Sequence, residues 1–210
     1  MNVTINPATG ETIAEFELHD DRAVDAALDR AVAAQRAWRW TSHDERGGLL
    51  KRLAEGFRRE RDALAALITQ EMGKPIAEAR AEVEKCALNC DFYADAAAGM
   101  LADAPVAGAP GAFVAYEPLG VVLAIMPWNY PIWQVVRFLA PAFAAGNGAI
   151  LKHAANVPQC AMAIERIVAE AGVPQGLFAS VRVEPEMVGR LIADPRIAAV
   201  TLTGSTQVGM

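Results

Sequence analysis

The chain has 210 residues, 53% hydrophobic and 21% charged, with a formal net charge of −6 and a pI near 5.1. That balance can bury a real core, which excludes a disordered chain, and the acidic surplus argues against nucleic acid as a partner. Three cysteines, Cys86, Cys90 and Cys160, are too few and too oddly numbered for a disulfide framework and fit a reducing cytoplasm.

The first residues, Met1 to Asn6, have neither the basic start nor the apolar stretch of a signal peptide. Asn6-Pro7-Ala8-Thr9-Gly10-Glu11 is a turn signal, and the alternating run that follows to Leu18 predicts a small hairpin. Asp20 and Asp21 open a helix whose Val24, Ala27, Leu28, Ala31, Ala34 and Trp38 share one face. Ser42-His43-Asp44-Glu45 reads as a capping box, in which hydroxyl and carboxylate satisfy each other's orphan amides. Behind it Leu49, Leu50, Leu53 and Phe57 form an apolar stripe, and Leu64, Leu67, Ile68 and Met72 form another. Gly73 stops that helix, and Pro75 starts the next, where its missing N–H matters little; it runs to about Gly99. Residues 20–99 are therefore expected to form a helical layer.

A small-residue loop spans Ala104 to Gly111, and Ala112–Tyr116 is a short strand candidate. Val121 to Met126 has no polar alternation, the pattern of a strand buried on both faces of a parallel sheet. One grammar then repeats. Strands at 121–126, 149–152, 178–181 and 197–202 alternate with helices at about 131–145, 158–171 and 185–192, Pro141 being expected to kink the first of these helices. A further helix begins after Thr203-Gly204-Ser205. Short connections between alternating elements imply right-handed crossovers and an α/β fold, a Rossmann-like parallel sheet preceded by the helical layer. The most apolar stretch, Leu119 to Leu151, is broken by Asn129, Gln134, Arg137, Pro141 and Asn147. It cannot supply the roughly 20 apolar residues of a membrane helix.

Ligands of open parallel sheets bind at the carboxyl ends of the strands. That rule selects Pro127 to Asn129, Lys152 to Ala155, the segment after Val181, and Thr203 to Ser205. Gly204 and Ser205 open a helix and could cradle a phosphate, although serine is also an ordinary N-cap. Lys152 could bond ribose hydroxyls or a phosphate, or simply snorkel to solvent. The Asn129 amide, between Pro127 and Pro131, could donate to a developing oxyanion or merely close an Asx turn. Neither G-x-G-x-x-G nor G-x-x-x-x-G-K-[ST] follows any strand, so no ordinary dinucleotide fingerprint or P-loop is signalled. His19, His43 and His153 show no ligand-like spacing to the cysteines, and no metal is expected.

Six segments in register resemble the aldehyde dehydrogenase superfamily over the whole chain. They are Asn6 to Glu11, Glu71-Met72-Gly73-Lys74-Pro75, Tyr116 to Val121, Pro127-Trp128-Asn129-Tyr130-Pro131, Gly146-Asn147 through Leu151-Lys152, and Thr203-Gly204-Ser205-Thr206. The segments Lys152–Val157 and Ile197–Ser205 are most similar to bacterial succinate-semialdehyde dehydrogenases. The resemblance implies oxidation of an aldehyde through a cysteine thiohemiacetal, with NAD or NADP as acceptor and hydrolysis assisted by a glutamate. It implies that Asn129 helps hold the oxyanion. Ile125, Trp128, Lys152, Ala155, Gly204 and Ser205 would line the cofactor site, Lys152 on the adenosine ribose and Ser205 on the pyrophosphate. Where NAD-preferring members often carry a glutamate, this chain has Ala155. Its lack of charge removes repulsion against a 2′-phosphate, so NADP should be tolerated. Arg182 could assist with a phosphate or be a surface arginine.

The resemblance also divides the chain. Residues 1–110 would be the hairpin and helical layer, 111–117 a strand of a bridging or oligomerisation element, and 118–210 a truncated NAD(P)-binding domain. The catalytic domain, with its nucleophilic cysteine and general-base glutamate, would lie beyond, since Cys86, Cys90 and Cys160 match no nucleophile context. The fold is thus expected to be an incomplete aldehyde dehydrogenase fold. The intact protein is expected to be a cytoplasmic homo-oligomer, dimer or tetramer, without a membrane or nucleic-acid partner. A chain ending at Met210 should leave an unpaired strand edge and aggregate or associate. The alternative reading is a non-catalytic remnant that binds cofactor or a full-length paralogue.

Overall fold

The computed structural model describes residues 1–209. Met210, the last residue of the expected cofactor domain, lies outside the described residues.

The chain opens with an antiparallel hairpin, β1 (Asn2–Ile5) and β2 (Thr12–Phe16), closed by the predicted turn. Gly10 takes the left-handed conformation there (φ 76°), and Asn6 Oδ1 accepts from the Ala8 N–H at 2.9 Å. Four helices follow: α1 (Asp21–Trp38), α2 (His43–Arg59), α3 (Arg61–Met72) and α4 (Ile76–Met100). Asp20 caps α1 by accepting from the Ala23 N–H at 2.8 Å. The capping box of α2 forms in both directions: Ser42 Oγ accepts from Glu45 N–H at 3.2 Å, and Glu45 accepts from Ser42 N–H at 2.8 Å. Gly73 ends α3 with φ 79°, and Pro75 precedes α4 directly.

The segment between α4 and the main sheet departs from expectation. Ala104–Pro105 (β3) pairs antiparallel with Phe113–Val114 (β4), so the loop contains a strand and the expected five-residue strand is only two residues long. Both strands are exposed at each position, so no buried face supports a longer ladder.

The sheet itself follows the repeated grammar. Its elements are β5 (Val121–Met126), α5 (Trp133–Ala144), β6 (Gly148–His153), α6 (Pro158–Glu170), β7 (Phe178–Ser180), α7 (Pro185–Ala193), β8 (Ile197–Leu202) and the short α8 (Thr206–Gly209). The four strands are parallel in the order β7-β6-β5-β8. The chain steps outward from β5 to β6 to β7, then returns across β5 to place β8 on the other side. β5 is buried at every position, as its unbroken apolar run requires. Pro141 lies inside α5.

The core has two parts, one on each side of this sheet. The larger joins α2, α3 and α4 to α5 and α6, with Leu50, Leu53, Phe57, Ile68, Leu139 and Phe143 all fully buried. The smaller packs Val24, Leu28 and Ala31 of α1 onto Leu123, Ile125 and Ile150. The helical layer is thus two layers, with the sheet between α1 and the rest. β8 is paired only with β5 among the described residues, and its Val200 and Leu202 are 42% and 40% exposed. No described helix is long and apolar enough to cross a membrane.

Candidate functional site

Register brings the candidate residues to one edge of the sheet. Ile125 at the end of β5 pairs with Lys152 on β6 and with Leu202 on β8. Thr203 N–H continues the ladder, donating to Ile125 O at 3.0 Å. Where neighbouring strands connect in opposite directions, the loops at their carboxyl ends diverge and leave a crevice. The strand order reverses between β5 and β8, since the chain runs from β5 to β6 on one side and returns to place β8 on the other.

Between them lies a hollow of about 280 Å³ lined by Pro127, Trp128, Asn129, Thr203, Gly204 and Ser205. Asn129, Gly204 and Ser205 are exposed to it, and Trp128 is half-exposed. A second hollow of about 220 Å³ opens at the ends of β6 and β7, lined by Lys152, Ala155, Ser180, Arg182 and Glu184 among others. The candidates therefore share a sheet edge but fall into two hollows with no lining residue in common. Ile125 lines neither; it is buried in the smaller core.

Lys152 is half-buried and makes no ion pair among the described residues. Burial lowers its pKa below the usual lysine value, and the Glu184 carboxylate partly offsets this. Arg182 is more constrained than a surface arginine. Its Nη2 lies 3.0 Å from His19 Nε2, and its Nε donates to Glu17 O at 3.3 Å. The His19 pKa is lowered, first by burial and then by the Arg182 charge.

Sequence reasoning missed the groups that fix these loops. Neither α5 nor α6 has a side-chain cap from its own preceding residue. Both are capped from the helical layer. Glu82 Oε1 accepts from the Ile132 and Trp133 N–H groups at 2.9 and 3.0 Å. Glu71 Oε1 and Oε2 accept from the Gln159 and Cys160 N–H groups, each at 2.9 Å. Lys74 pairs with the other Glu82 oxygen in a fully buried contact. Its Nζ also sits 3.5 Å from the centre of the Tyr130 ring. Burial raises the Glu71 pKa above the ordinary carboxylate value, and its two amide bonds work against that. His153 ties the two loops together: Nε2 donates to Pro131 O and Nδ1 accepts from Ala154 N–H, both at 2.8 Å. A signal for Glu82 was available. It is a charged residue set in the apolar stripe of Ala79, Val83, Cys86 and Cys90.

The three cysteines are all buried, and burial raises each thiol pKa above its ordinary value.

A parallel α/β sheet with ligand-sized hollows at its carboxyl edge defines the class. The aldehyde dehydrogenase family model matches residues 2–210, and the chain belongs to that family. It is 51% identical over 207 residues to a probable succinate-semialdehyde dehydrogenase [NADP(+)] of Synechocystis sp., covering 98% of this chain and 46% of that one. It is 47% identical over 210 residues to succinate-semialdehyde dehydrogenase [NADP(+)] 1 of Mycobacterium tuberculosis, with the same coverages. Among solved structures, succinic semialdehyde dehydrogenase from Streptococcus pyogenes in complex with NADP+ superposes with a TM-score of 0.94. It is 37% identical and covers all of this chain and 46% of that one. A NAD-dependent benzaldehyde dehydrogenase from Corynebacterium glutamicum gives 0.90 at 30% identity, covering 99% of this chain and 46% of that one. The chain spans about half the length of the curated relatives it matches, and its fold is correspondingly an incomplete aldehyde dehydrogenase fold.

Proposed function

We propose that the chain is the N-terminal, cofactor-binding part of an enzyme that oxidises succinate semialdehyde to the dicarboxylic acid, with NADP accepted as oxidant. One observation carries the cofactor reading. Lys152, half-buried and without an ion-pair partner among the described residues, faces a hollow whose lining has Glu184 as its one acidic residue and the uncharged Ala155 where, by the family resemblance, NAD-preferring members often carry a glutamate. Arg182 adds a second cation to its lining, and the relatives named above that share the most sequence are called NADP(+) enzymes. The substrate rests on those relatives' names.

The residues present fit such a nucleotide. Lys152 would hold the ribose or its phosphate with three rotatable donors, and Gly204 and Ser205 would take the pyrophosphate. When bound, the nucleotide supplies a two-electron acceptor. Asn129 would donate its amide N–H to the aldehyde oxygen as negative charge gathers there, which lowers the barrier only if the donor is already placed. No cysteine of this chain suits nucleophilic attack, because burial keeps the thiols protonated. The chain by itself should therefore give no NADPH from succinate semialdehyde in a spectrophotometric assay, and steady reduction would refute this assignment of the cysteines.

The cofactor reading is tested by Ala155→Glu. A new carboxylate in the hollow repels a 2′-phosphate but can bond a 2′-hydroxyl. NADP binding should weaken tenfold or more, about 1.4 kcal/mol, while NAD binding holds or improves. Equal weakening of both in a fluorescence titration would remove the 2′-phosphate from this hollow.

A further inference from the structure

We infer that Glu82, with Lys74, is a positioning residue that sets the loop carrying Asn129, and that Glu71 does the same for the segment carrying Ala155. The inference rests on the proposed role of Asn129 and extends it to residues on another layer of the fold.

The argument begins with donors. The first amides of a helix have no partner within it, and here local caps are absent. Each vacancy is filled by a glutamate from the helical layer. These carboxylates are fully or nearly buried, where an unsatisfied charge is costly and a satisfied one is held rigidly. The two caps sit immediately beyond the two site loops. Residues 127–131 lie between the end of β5 and the Ile132 and Trp133 amides held by Glu82. Residues 154–157 lie between the end of β6 and the Gln159 and Cys160 amides held by Glu71. Each loop is therefore pinned at its strand and at its helix.

Glu82 uses both oxygens, one for the two amides and one for Lys74. Lys74 in turn lies against Tyr130, the neighbour of Asn129. Glutamine at 82 would keep the shape but offer a single acceptor oxygen. Either Lys74 or the α5 amides would then face a donor, and the loop would shift. Removing the Lys74 charge as well releases that conflict, since the remaining oxygen can serve the amides alone.

The test is kinetic and uses the full-length enzyme with succinate semialdehyde and NADP. Glu82→Gln should lower kcat at least tenfold with the KM for NADP changed less than twofold. Glu71→Gln should do the reverse, raising the KM for NADP severalfold with kcat largely kept. The double variant Glu82→Gln with Lys74→Met should regain most of the lost kcat. A role in stability alone would lower both parameters together and give no such crossing, and that result would overturn the inference. Asn129→Ala is the control on the site reading. If it lowers kcat at least tenfold while Glu82→Gln does not, positioning by Glu82 fails and Asn129 stands. If Asn129→Ala keeps full turnover, its oxyanion role fails. Positioning is then decided by amide resonances. Ile132 and Trp133 should move in Glu82→Gln while Gln159 and Cys160 stay, and unmoved Ile132 and Trp133 signals would overturn it.

Discussion

Lys74→Met is expected to lower the free energy of unfolding by about 3–5 kcal/mol. Lys74 and Glu82 are among the few buried charges of the chain, and they pair with each other. Removing the cation leaves a carboxylate with 0% side-chain exposure facing a thioether. Its two amide donors remain, but no positive charge compensates it. The methionine fills most of the lysine's volume, so the loss is electrostatic and not a cavity effect. The contact of Nζ with the Tyr130 ring is lost too. Against a typical total of roughly 5–15 kcal/mol, this is a large share. Urea unfolding followed by tryptophan fluorescence measures it. Adding Glu82→Gln should recover much of the loss, because a neutral amide is far cheaper to bury. A single variant within about 1 kcal/mol of wild type would mean that the pair is better solvated than its burial implies.

Acid should unlock the same region through His153. Its ring is fully buried, and burial lowers its pKa to about 4 from an ordinary value of 6.5; its bond to Pro131 O acts in the opposite sense. The neutral ring donates from Nε2 and accepts at Nδ1, so a second proton would meet the Ala154 N–H head on. The unfolded chain takes up that proton at a higher pH than the folded one. The stabilising contribution is therefore full above about pH 6.5 and is lost as pH falls through about 4. It amounts to roughly 3 kcal/mol. Glu71 and Glu165 are both held above the ordinary carboxylate value by burial, so their protonation opposes the trend. The His153 part is isolated by comparison with His153→Gln. Stability of the wild type should fall more steeply between pH 6.5 and 4 than that of the variant. Parallel curves would show that His153 takes its proton without opening the loop.

The alternation of strands and helices, the caps at Asp20 and Ser42 and the left-handed stop at Gly73 were all legible in the sequence. Each depends on residues a few positions apart, so periodicity and local hydrogen bonding suffice to specify it. The unbroken apolar run of Val121 to Met126 declared a central strand for the same reason. That the candidate residues would fall at one edge of the sheet was legible one step further, because they follow the carboxyl ends of strands whose parallel pairing the alternation already implied.

Three features were decided only in three dimensions. The placement of β8 beside β5 splits the candidates between two hollows, and strand order is set by long-range packing that no local pattern records. The β3–β4 pair joins the expected strand around Phe113–Val114 to Ala104–Pro105, which looks like loop, because a two-residue ladder needs only backbone groups. The caps of α5 and α6 come from Glu82 and Glu71, some 50 and 88 positions away. By itself, the sequence determined the alternating helices and strands of the main sheet and which strand ends carry the candidate residues. The tertiary structure alone decided what holds those ends still, because a buried charge finds its partners by packing across layers and not by neighbourhood along the chain.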